Sequence, residues 1–276
     1  MTATLYVVAT PIGNLADLSP RAADCLRQVA VVAAEDTRRT RGLLSHLGVR
    51  PQLLSFHAHS GPRRIELLLE ILGSGRDVAL VTDAGTPGVS DPGPELAEAA
   101  RAHGFPVVPI PGASAVTTAL SASGLPADRY LFLGFMPRKG AERARLLARA
   151  AAEEWSVVFF EAPPRLAALL KDLRSAAGSD RRAVVTRELT KMHEEFRTGT
   201  LAELADYYSR EEARGEVTVV LAGTGEAPVS PDRSDEARAL ATRLLAEGVS
   251  RRQAAQQVAA ELGLARNEAY RLVTEL

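Results

Sequence analysis

The sequence predicts a two-domain α/β fold followed by a small helical domain. Short runs of β-branched residues alternate with longer segments of helical period rich in Ala, Leu and Arg, which is typical of βα units that build a largely parallel sheet. The chain of 276 residues is long enough for two such domains and an appendage. A stretch of linker composition, residues 223–232, precedes the last helical segments. We therefore predict domains at residues 1–124, 125–225 and 234–276.

The first domain is predicted to contain five strands: Leu5–Ala9, Val29–Ala34, Leu53–Phe56, Asp77–Thr82 and Val107–Ile110. Ser19 and Pro20 are suited to the N-cap and the first position of the helix after the first strand. The domain closes with a helix from Ser114 to about Ser123. Three glycines are predicted at C′ positions of the helices between the strands: Gly48, Gly73 and Gly104.

The second domain is predicted to repeat this alternation of strands and helices. Its strands are Tyr130–Phe135, Val157–Phe160, Ala183–Arg187 and Val217–Ala222. Its helices are Ala141–Glu154, Arg165–Ala176 and Leu201–Glu212.

The C-terminal segment is predicted to be helical throughout. Ser250 and Gln253 have the spacing of a capping box, and Gly263-Leu264 is a short break before the last helix. The last two helices therefore resemble a helix-turn-helix. The three helices are predicted at Asp235–Glu247, Arg251–Leu262 and Arg266–Glu275.

Composition excludes several classes of protein. With 33 basic and 34 acidic residues, the chain has no global positive field, so a nucleic acid would have to be met by local patches. The single cysteine, Cys25, excludes an internal disulfide and fits a reducing compartment. The N-terminus lacks the pattern of an export signal, and no apolar window is long enough to span a membrane. We expect a soluble, cytoplasmic protein without a membrane partner.

Four loops that follow predicted strands are unusually rich in glycine and proline: Thr10–Asn14, Asp83–Gly93, Pro111–Ser114 and Glu161–Arg165. In α/β sheets ligands bind beyond the carboxyl ends of the strands. Asp83–Gly93 alone contains three glycines and two prolines, more than a chain reversal needs. Such loops form rigid walls that backbone groups can present to a ligand. They indicate a binding site for a small molecule, although each loop alone could be an ordinary turn.

The sequence gives less support to a nucleotide-binding site, a serine nucleophile or a metal site. The chain has no P-loop motif, and Gly223-Thr-Gly225 lacks the third glycine of a dinucleotide-binding fingerprint. Gly112-Ala-Ser114 is half a nucleophile elbow, but Val116 stands where the second glycine is needed. His57-Ala-His59 could approach a metal, yet three or four converging ligands are usual, so we predict no metal site.

These loops and several further segments closely resemble the bacterial small-subunit (16S) ribosomal RNA 2′-O-ribose methyltransferase I family, within the tetrapyrrole methylase superfold. The resemblance runs nearly end to end, and its motifs are long and occur in the same order. The matching segments are Leu5–Ala22, Ala34–Arg38, Asp83–Gly93, Pro109–Ser114, Phe132–Lys139, Arg187–Lys191 and Ser250–Ala254.

The resemblance implies two α/β domains with a cleft between them, a homodimer, and S-adenosylmethionine as methyl donor. The substrate it implies is the ribose 2′-hydroxyl of a cytidine in 16S ribosomal RNA of the small ribosomal subunit. The residues it implies for cofactor binding are Pro11, Ile12, Gly13, Asp83, Thr86, Pro87, Val89, Ser114, Ala115, Glu161 and Ala222.

Methyl transfer to a hydroxyl needs alignment and a partner for the proton or the developing alkoxide. Candidates at strand ends are Asp36, His57, Glu188 and Lys191, with Arg38 as a phosphate or oxyanion contact. Each has an alternative role. Asp36 and its neighbours could cap the next helix, and Glu188 and Lys191 could form an ordinary surface pair.

Local charge could hold RNA in two places. One is the cluster Arg138, Lys139, Arg143, Arg145 and Arg149; the other is the set Arg251, Arg252, Arg266 and Arg271 in the C-terminal segment. Two rival functions remain: methylation of a small tetrapyrrole, and a non-catalytic RNA-binding or assembly factor. The basic cluster argues against the first, and the intact Gly/Pro loops argue against the second.

Overall fold

Five short, largely buried strands form a parallel sheet in the first half of the chain. In this computed structural model, which describes residues 2–225, 234–262 and 266–274, the strand order is β3-β2-β4-β1-β5. The predicted parallel arrangement is confirmed here, although most strands are shorter than predicted. The strands are β1 Leu5–Val8, β2 Val31–Ala34, β3 Gln52–Ser55, β4 Val78–Val81 and β5 Val107–Ile110.

The helices of this half begin and end at capping residues. Oγ of Ser19 accepts a hydrogen bond from the N–H of Ala22, and Pro20 begins the first helix, as predicted. Gly48 and Gly104 have φ of 73° and 78°, as expected for glycines just beyond a helix. Gly73 does not: it is the last helical residue, and the positive φ belongs to Gly75. The helices are α1 Pro20–Gln28, α2 Thr37–His46, α3 Pro62–Gly73, α4 Pro94–Ala102 and α5 Ala115–Ser123.

The second sheet is mixed, which corrects the expectation of a parallel one. Its order is β6-β7-β10-β8-β9, and only β6 and β7 are parallel. The seven residues between β8 and β9 are too few for the crossover that parallel strands require, so this pair is antiparallel. The strands are β6 Tyr130–Phe135, β7 Ser156–Glu161, β8 Arg182–Arg187, β9 Glu195–Thr200 and β10 Val217–Leu221.

Strand β9 is absent from the sequence prediction. It is an edge strand, it contains Glu195, Arg197 and Gly199, and its residues are only partly buried or exposed. A short polar edge strand lacks the apolar run or the alternation by which strands are recognised. Its neighbour, the third helix of this half, is also shorter than predicted, since it ends at Tyr208 rather than Glu212.

Helices cover both faces of the second sheet. One face is covered by three helices of this half, α6 Ala141–Ala152, α7 Leu166–Ala177 and α8 Leu201–Tyr208. One core contains the fully buried leucines of α7 and the apolar residues of α8. The other face packs against α5 of the first half, where Val116 and Leu120 cluster with Val158 and Val220. Because α5 contributes to this second core, both sheets belong to one compact unit, Met1–Gly223.

The described residues of the remaining compact unit, Thr224–Leu276, form three helices: α9 Ser234–Ala246, α10 Arg251–Leu262 and α11 Arg266–Thr274. Ala237, Ala241, Val258 and Leu272 contribute to a core of its own. Residues 226–232 of the predicted linker, the predicted break at Gly263-Leu264 and the predicted helix end at Glu275 lie outside the described residues. Of the helices that the structure describes, none has the length and apolarity needed to cross a membrane.

Candidate active site

The loops that follow β1, β2, β4 and β5 converge at one edge of the first sheet, because these strands are neighbours in the order β3-β2-β4-β1-β5. Two backbone hydrogen bonds join the loops after β1 and β4. The N–H of Thr10 donates to the carbonyl of Gly85 (2.8 Å), and the N–H of Gly85 donates to the carbonyl of Thr10 (3.1 Å). Oγ1 of Thr10 also donates to the carbonyl of Thr82 (3.1 Å). The two Gly/Pro loops are therefore held as one rigid wall.

A cavity of about 330 Å³ opens between this wall and the second sheet, within the unit Met1–Gly223. Its size is that of a small-molecule site. Apolar side chains, backbone of the Gly/Pro loops and several carboxylates line it together: Ile12, Glu35, Arg39, Asp83, Ala84, Gly85, Thr86, Val89, Ser90, Asp91, Ser114, Ala115, Phe135, Phe160, Glu161, Ala162, Pro163, Gly215, Glu216, Val217 and Thr218.

The second sheet contributes the beginning of β10 rather than its end. Since β10 is antiparallel to β7, Val217 pairs with Glu161 and Thr218 with Phe160 at the carboxyl end of β7. Ala222, which follows β10, is buried at the opposite edge, where its N–H donates to the carbonyl of Arg182 (2.9 Å). Ala222 therefore does not line the cavity.

Three carboxylates form the acidic wall of the cavity: Glu35, Asp83 and Asp91. Oγ1 of Thr82 donates to Oε2 of Glu35 (2.7 Å), and the N–H of Asp36 donates to Oδ1 of Asp83 (2.9 Å). Burial raises the pKa of the Asp91 carboxyl to about 6; the negative charges of Glu35 and Asp83 act in the same direction, and the nearby hydroxyl of Thr82 opposes them. Asp91 is thus able to exchange a proton near neutral pH.

The buried carboxylate of Glu161 forms an ion pair with Arg165. It is 2% exposed, and Nε of Arg165 lies 3.0 Å from its Oε1. The N–H of Ala162 also donates to Oε1 (2.9 Å), and Arg165 donates to the carbonyl of Met136. Buried charge is tolerated when paired and hydrogen-bonded in this way. The pair fixes the loop after β7 against the cavity.

A second cavity, of about 370 Å³, adjoins the first and shares Ile12, Arg39, Asp83, Ala84 and Glu216 with it. Among its other lining residues are Pro11, Gly13 and Lys191.

Nζ of Lys191 contacts two carboxylates, Oε1 of Glu188 (2.9 Å) and Oε2 of Glu216 (3.2 Å). The hydrogen bond from Lys191 lowers the pKa of Glu188, and the hydrogen bond from the N–H of Glu216 contributes to this. Glu188 has φ of 51°, a strained conformation for a residue with a side chain. Its carboxylate holds the segment before β10 in place without lining either cavity.

The structure brings most predicted cofactor residues together. Ile12, Asp83, Thr86, Val89, Ser114, Ala115 and Glu161 line the first cavity. Pro11 and Gly13 line the second. Pro87 is buried beside them but lines neither of these two cavities.

The predicted catalytic residues are mostly outside the two cavities. Asp36 is the N-cap of α2 and accepts a hydrogen bond from the N–H of Arg38, whose side chain is 85% exposed. Hydrogen bonds from Arg38 lower the pKa of Asp36 to about 2. His57 follows the edge strand β3 and lies in a turn closed by Ser60. Only Lys191 of the five candidates lines either cavity.

Glu35, Arg39, Asp91 and Phe135 are among the lining residues that the sequence analysis did not predict. Glu35 and Arg39 flank the predicted pair Asp36 and Arg38, so this segment contributes to the cavity through side chains other than the predicted ones. Asp91 lies inside the recognised Gly/Pro loop. The structure shows no group of three or more metal-ligating side chains among the residues it describes.

The fold and the cavity define a methylase of the tetrapyrrole type. The model of the tetrapyrrole (corrin/porphyrin) methylase family matches residues 4–205. A solved structure of uroporphyrin-III C-methyltransferase from Thermus thermophilus, complexed with S-adenosyl homocysteine, has the same fold, with a TM-score of 0.58 and 20% identity over 80% of this chain and 97% of that one.

More similar relatives identify the particular family within this class of methylases. The ribosomal RNA small subunit methyltransferase I of Synechocystis sp. is 44% identical over 99% of this chain and 98% of its own length. That of Pseudomonas aeruginosa is 45% identical over 97% of this chain and 95% of its own length. The chain belongs to the ribosomal RNA small subunit methyltransferase I family.

Proposed function

We propose that the chain is an S-adenosylmethionine-dependent methyltransferase that methylates the ribose 2′-hydroxyl of a cytidine in 16S ribosomal RNA. The observation that carries the proposal is the cavity at the strand ends, which combines rigid Gly/Pro walls with the carboxylates Glu35, Asp83 and Asp91, in a chain of this family. The relatives from Synechocystis sp. and Pseudomonas aeruginosa are named for the small-subunit ribosomal RNA.

The residues present fit the methyl donor. S-adenosylmethionine, when bound, supplies an electrophilic methyl group on a positively charged sulfur. The acidic wall offers charge complementary to a cation, and Ile12, Val89 and Ala115 offer apolar surface. Thr86, Ser114 and Glu161 add polar groups to the same cavity. These residues would hold the donor.

The chain's own contribution to the reaction is alignment and proton acceptance. Bound S-adenosylmethionine would supply the methyl group for the ribose oxygen, and the chain would have to accept the proton of the hydroxyl at a base. Asp91 takes this proton in our proposal, because it lines the cavity and its pKa is raised to about 6. The Thr10–Gly85 backbone pairing keeps the two loop walls from moving, which favours a fixed approach of the reacting groups.

The proposal also covers the residues that bind RNA, the oligomeric state of the protein and its location in the cell. Arg251, Arg252 and Arg271 are exposed on the C-terminal unit, where they are available to phosphates; the side chain of Arg266 lies outside the described residues. We therefore assign residues 234–276 to RNA binding. We also propose that the protein is a homodimer in the cytoplasm. This part of the proposal rests on the family resemblance.

The test is methylation of unmodified small ribosomal subunits with labelled S-adenosylmethionine, followed by mapping of the labelled nucleotide. We expect a single 2′-O-methylated cytidine in 16S ribosomal RNA. Label on a base, or no label on the RNA, would contradict the proposal. Calorimetry with S-adenosylmethionine alone tests the cofactor separately, since a non-catalytic RNA-binding factor would not bind it.

A further inference from the structure

Phe135 is an exposed aromatic residue at the mouth of the first cavity. It is the last residue of β6, it lines the cavity, and its side chain remains 56% exposed. A phenylalanine that is more than half exposed loses the stabilisation that burial would give it. Its position at the rim of a binding cavity indicates an interaction with a ligand.

A β-bulge sets the direction of Phe135. The register between β6 and β7 shifts between Phe132 and Phe135, and bulges beside active sites re-aim a side chain in this way. Gly134, inside the bulge, has φ of 63°, and a Cβ atom there would lie 3.1 Å from Oγ of Ser90. Both the backbone conformation and the contact with the loop after β4 favour glycine at this position.

The ring of Phe135 is supported from behind. It lies edge-on to Phe160, with ring centroids 5.5 Å apart, and Phe160 packs in the same manner on Phe132 at 4.9 Å. Phe160 and Phe132 belong to the core between α5 and the second sheet. One edge of Phe135 therefore rests on this aromatic cluster, while the rest of its ring stays accessible.

Charges of opposite sign occur near Phe135. The cavity that it lines contains the wall of Glu35, Asp83 and Asp91. Three and four residues further along the chain are Arg138 and Lys139, which are exposed and form no ion pair within the described part of the chain. A groove of about 520 Å³ that shares Ala162 with the cavity is lined by Arg138, Arg143 and Arg165. Arg143 is held by Asp172 (2.7 Å) and Arg165 by Glu161, so Arg138 is the cation there available to a ligand.

We propose that Phe135 stacks on an RNA base at the mouth of the cavity, and that Arg138 and Lys139 contact the phosphates of the same strand. This rests on the function proposed above. The face of an aromatic ring accepts any base, and such stacking is a main source of affinity for single-stranded nucleic acid. The acidic wall repels phosphates, so the RNA backbone must lie near Arg138 and Lys139 instead. The adenine of S-adenosylmethionine is the alternative occupant, and the test separates the two.

The first test is a fluorescence measurement on a Phe135→Trp variant in a Trp155→Phe background. Trp155 is the single tryptophan of the chain; it is 43% exposed, and Arg129 lies over its ring, so its removal leaves one reporter. A single-stranded RNA oligonucleotide is expected to quench the emission of residue 135, whereas S-adenosylmethionine alone is not. Absence of quenching by RNA, or quenching by S-adenosylmethionine alone, overturns the inference.

The second test compares kinetics of methylation on small ribosomal subunits. Phe135→Ala is expected to raise KM for the subunit at least about tenfold, within the range of one lost base stack, with an unchanged affinity for S-adenosylmethionine. Phe135→Tyr is expected to have the KM of the wild type for the subunit. Tyr130→Ala is the matched control, because Tyr130 is an exposed aromatic at the other end of β6.

An unchanged KM for Phe135→Ala, with a wild-type enzyme that methylates the subunit, overturns the inference and leaves the proposed function intact. A wild-type chain that does not methylate the subunit contradicts the proposed function instead. Quenching of Phe135→Trp by RNA is observable in either case, so the two failures are distinguishable.

Discussion

Gly13 lies directly against the turn that contains Lys191. A Cβ atom on Gly13 would be 2.5 Å from Cγ of Lys191, 2.8 Å from Oγ1 of Thr190 and 2.9 Å from the carbonyl oxygen of Leu189. The loop after β1 and the turn between β8 and β9 thus meet without room for a methyl group. This contact joins the edges of the two sheets beside the second cavity, so it bears on both stability and activity.

Replacement of Gly13 by alanine is expected to displace the turn at residues 189–191. Overpacking of this kind costs about 1 to 3 kcal/mol, which lowers Tm by several degrees in a domain of this size. Calorimetry measures the shift, and methylation is expected to fall as well. Gly42→Ala is the control for stability, because Gly42 lies inside α2 with nothing within 4 Å of an added Cβ, and alanine favours a helix there. A Tm lowered equally by both variants would contradict this interpretation.

The activity is expected to depend on the ionisation of Asp91. Burial raises its pKa to about 6, so the carboxyl is protonated below that pH and charged above it. A base must be charged to accept a proton, and kcat/KM is therefore expected to fall as the pH drops below about 6. The charged residues that line the cavity with Asp91 are Glu35, Arg39, Asp83, Glu161 and Glu216. Loss of a general base lowers the rate by about 10² to 10⁴, so Asp91→Asn is expected to be slower in this range and to lose the acidic limb of the profile.

Asp36→Asn is the matched control for Asp91→Asn, since both change one carboxylate to an amide. Asp36 caps α2 and does not line the first cavity, and asparagine serves as an N-cap nearly as well as aspartate. Single-turnover methylation by Asp36→Asn is expected to stay close to that of the wild type. If Asp36→Asn were the slower of the two variants, the roles assigned to these carboxylates would have to be exchanged.

Removal of the cation beside Glu161 is expected to destabilise the fold. In Arg165→Met the fully buried Glu161 side chain loses its partner, and breaking a buried ion pair from one side costs about 3 to 5 kcal/mol. Chemical denaturation measures the free energy of unfolding. Glu161→Gln combined with Arg165→Met is expected to recover part of the loss, because no unpaired charge remains. A double variant less stable than Arg165→Met would show that the pair is not the cause.

Deletion of residues 234–276 is expected to weaken RNA binding and to spare the binding of S-adenosylmethionine. The first cavity is lined entirely from the unit Met1–Gly223, and the three C-terminal helices have a core of their own. Filter binding with ribosomal RNA and calorimetry with S-adenosylmethionine measure the two affinities. Equal RNA affinity for the full and the truncated chain would remove the C-terminal unit from the RNA-binding surface.

The first sheet was largely predictable because its signals are local. Each strand is a short apolar run, and the adjoining helices begin at recognisable residues such as Ser19 and Pro20. The second sheet was predicted less well. Its edge strand, Glu195–Thr200, carries no apolar run, and the direction of β10 depends on pairing with β7 and β8. Ala222, which the family resemblance implied, lies beyond the end of β10, whereas the lining residues Val217 and Thr218 at its beginning were not predicted.

By itself, the sequence determined the α/β class, the Gly/Pro loops and the segment around Glu35 as parts of one site. These follow from residue types and spacings along a short stretch of chain. Only the tertiary structure decided which side chains face the cavity: Glu35 and Arg39 rather than Asp36 and Arg38, and Asp91 and Phe135 besides. The physical reason is that the direction of a side chain relative to the cavity depends on strand order, strand direction and a bulge. Each of these arises from pairing between residues distant in the chain.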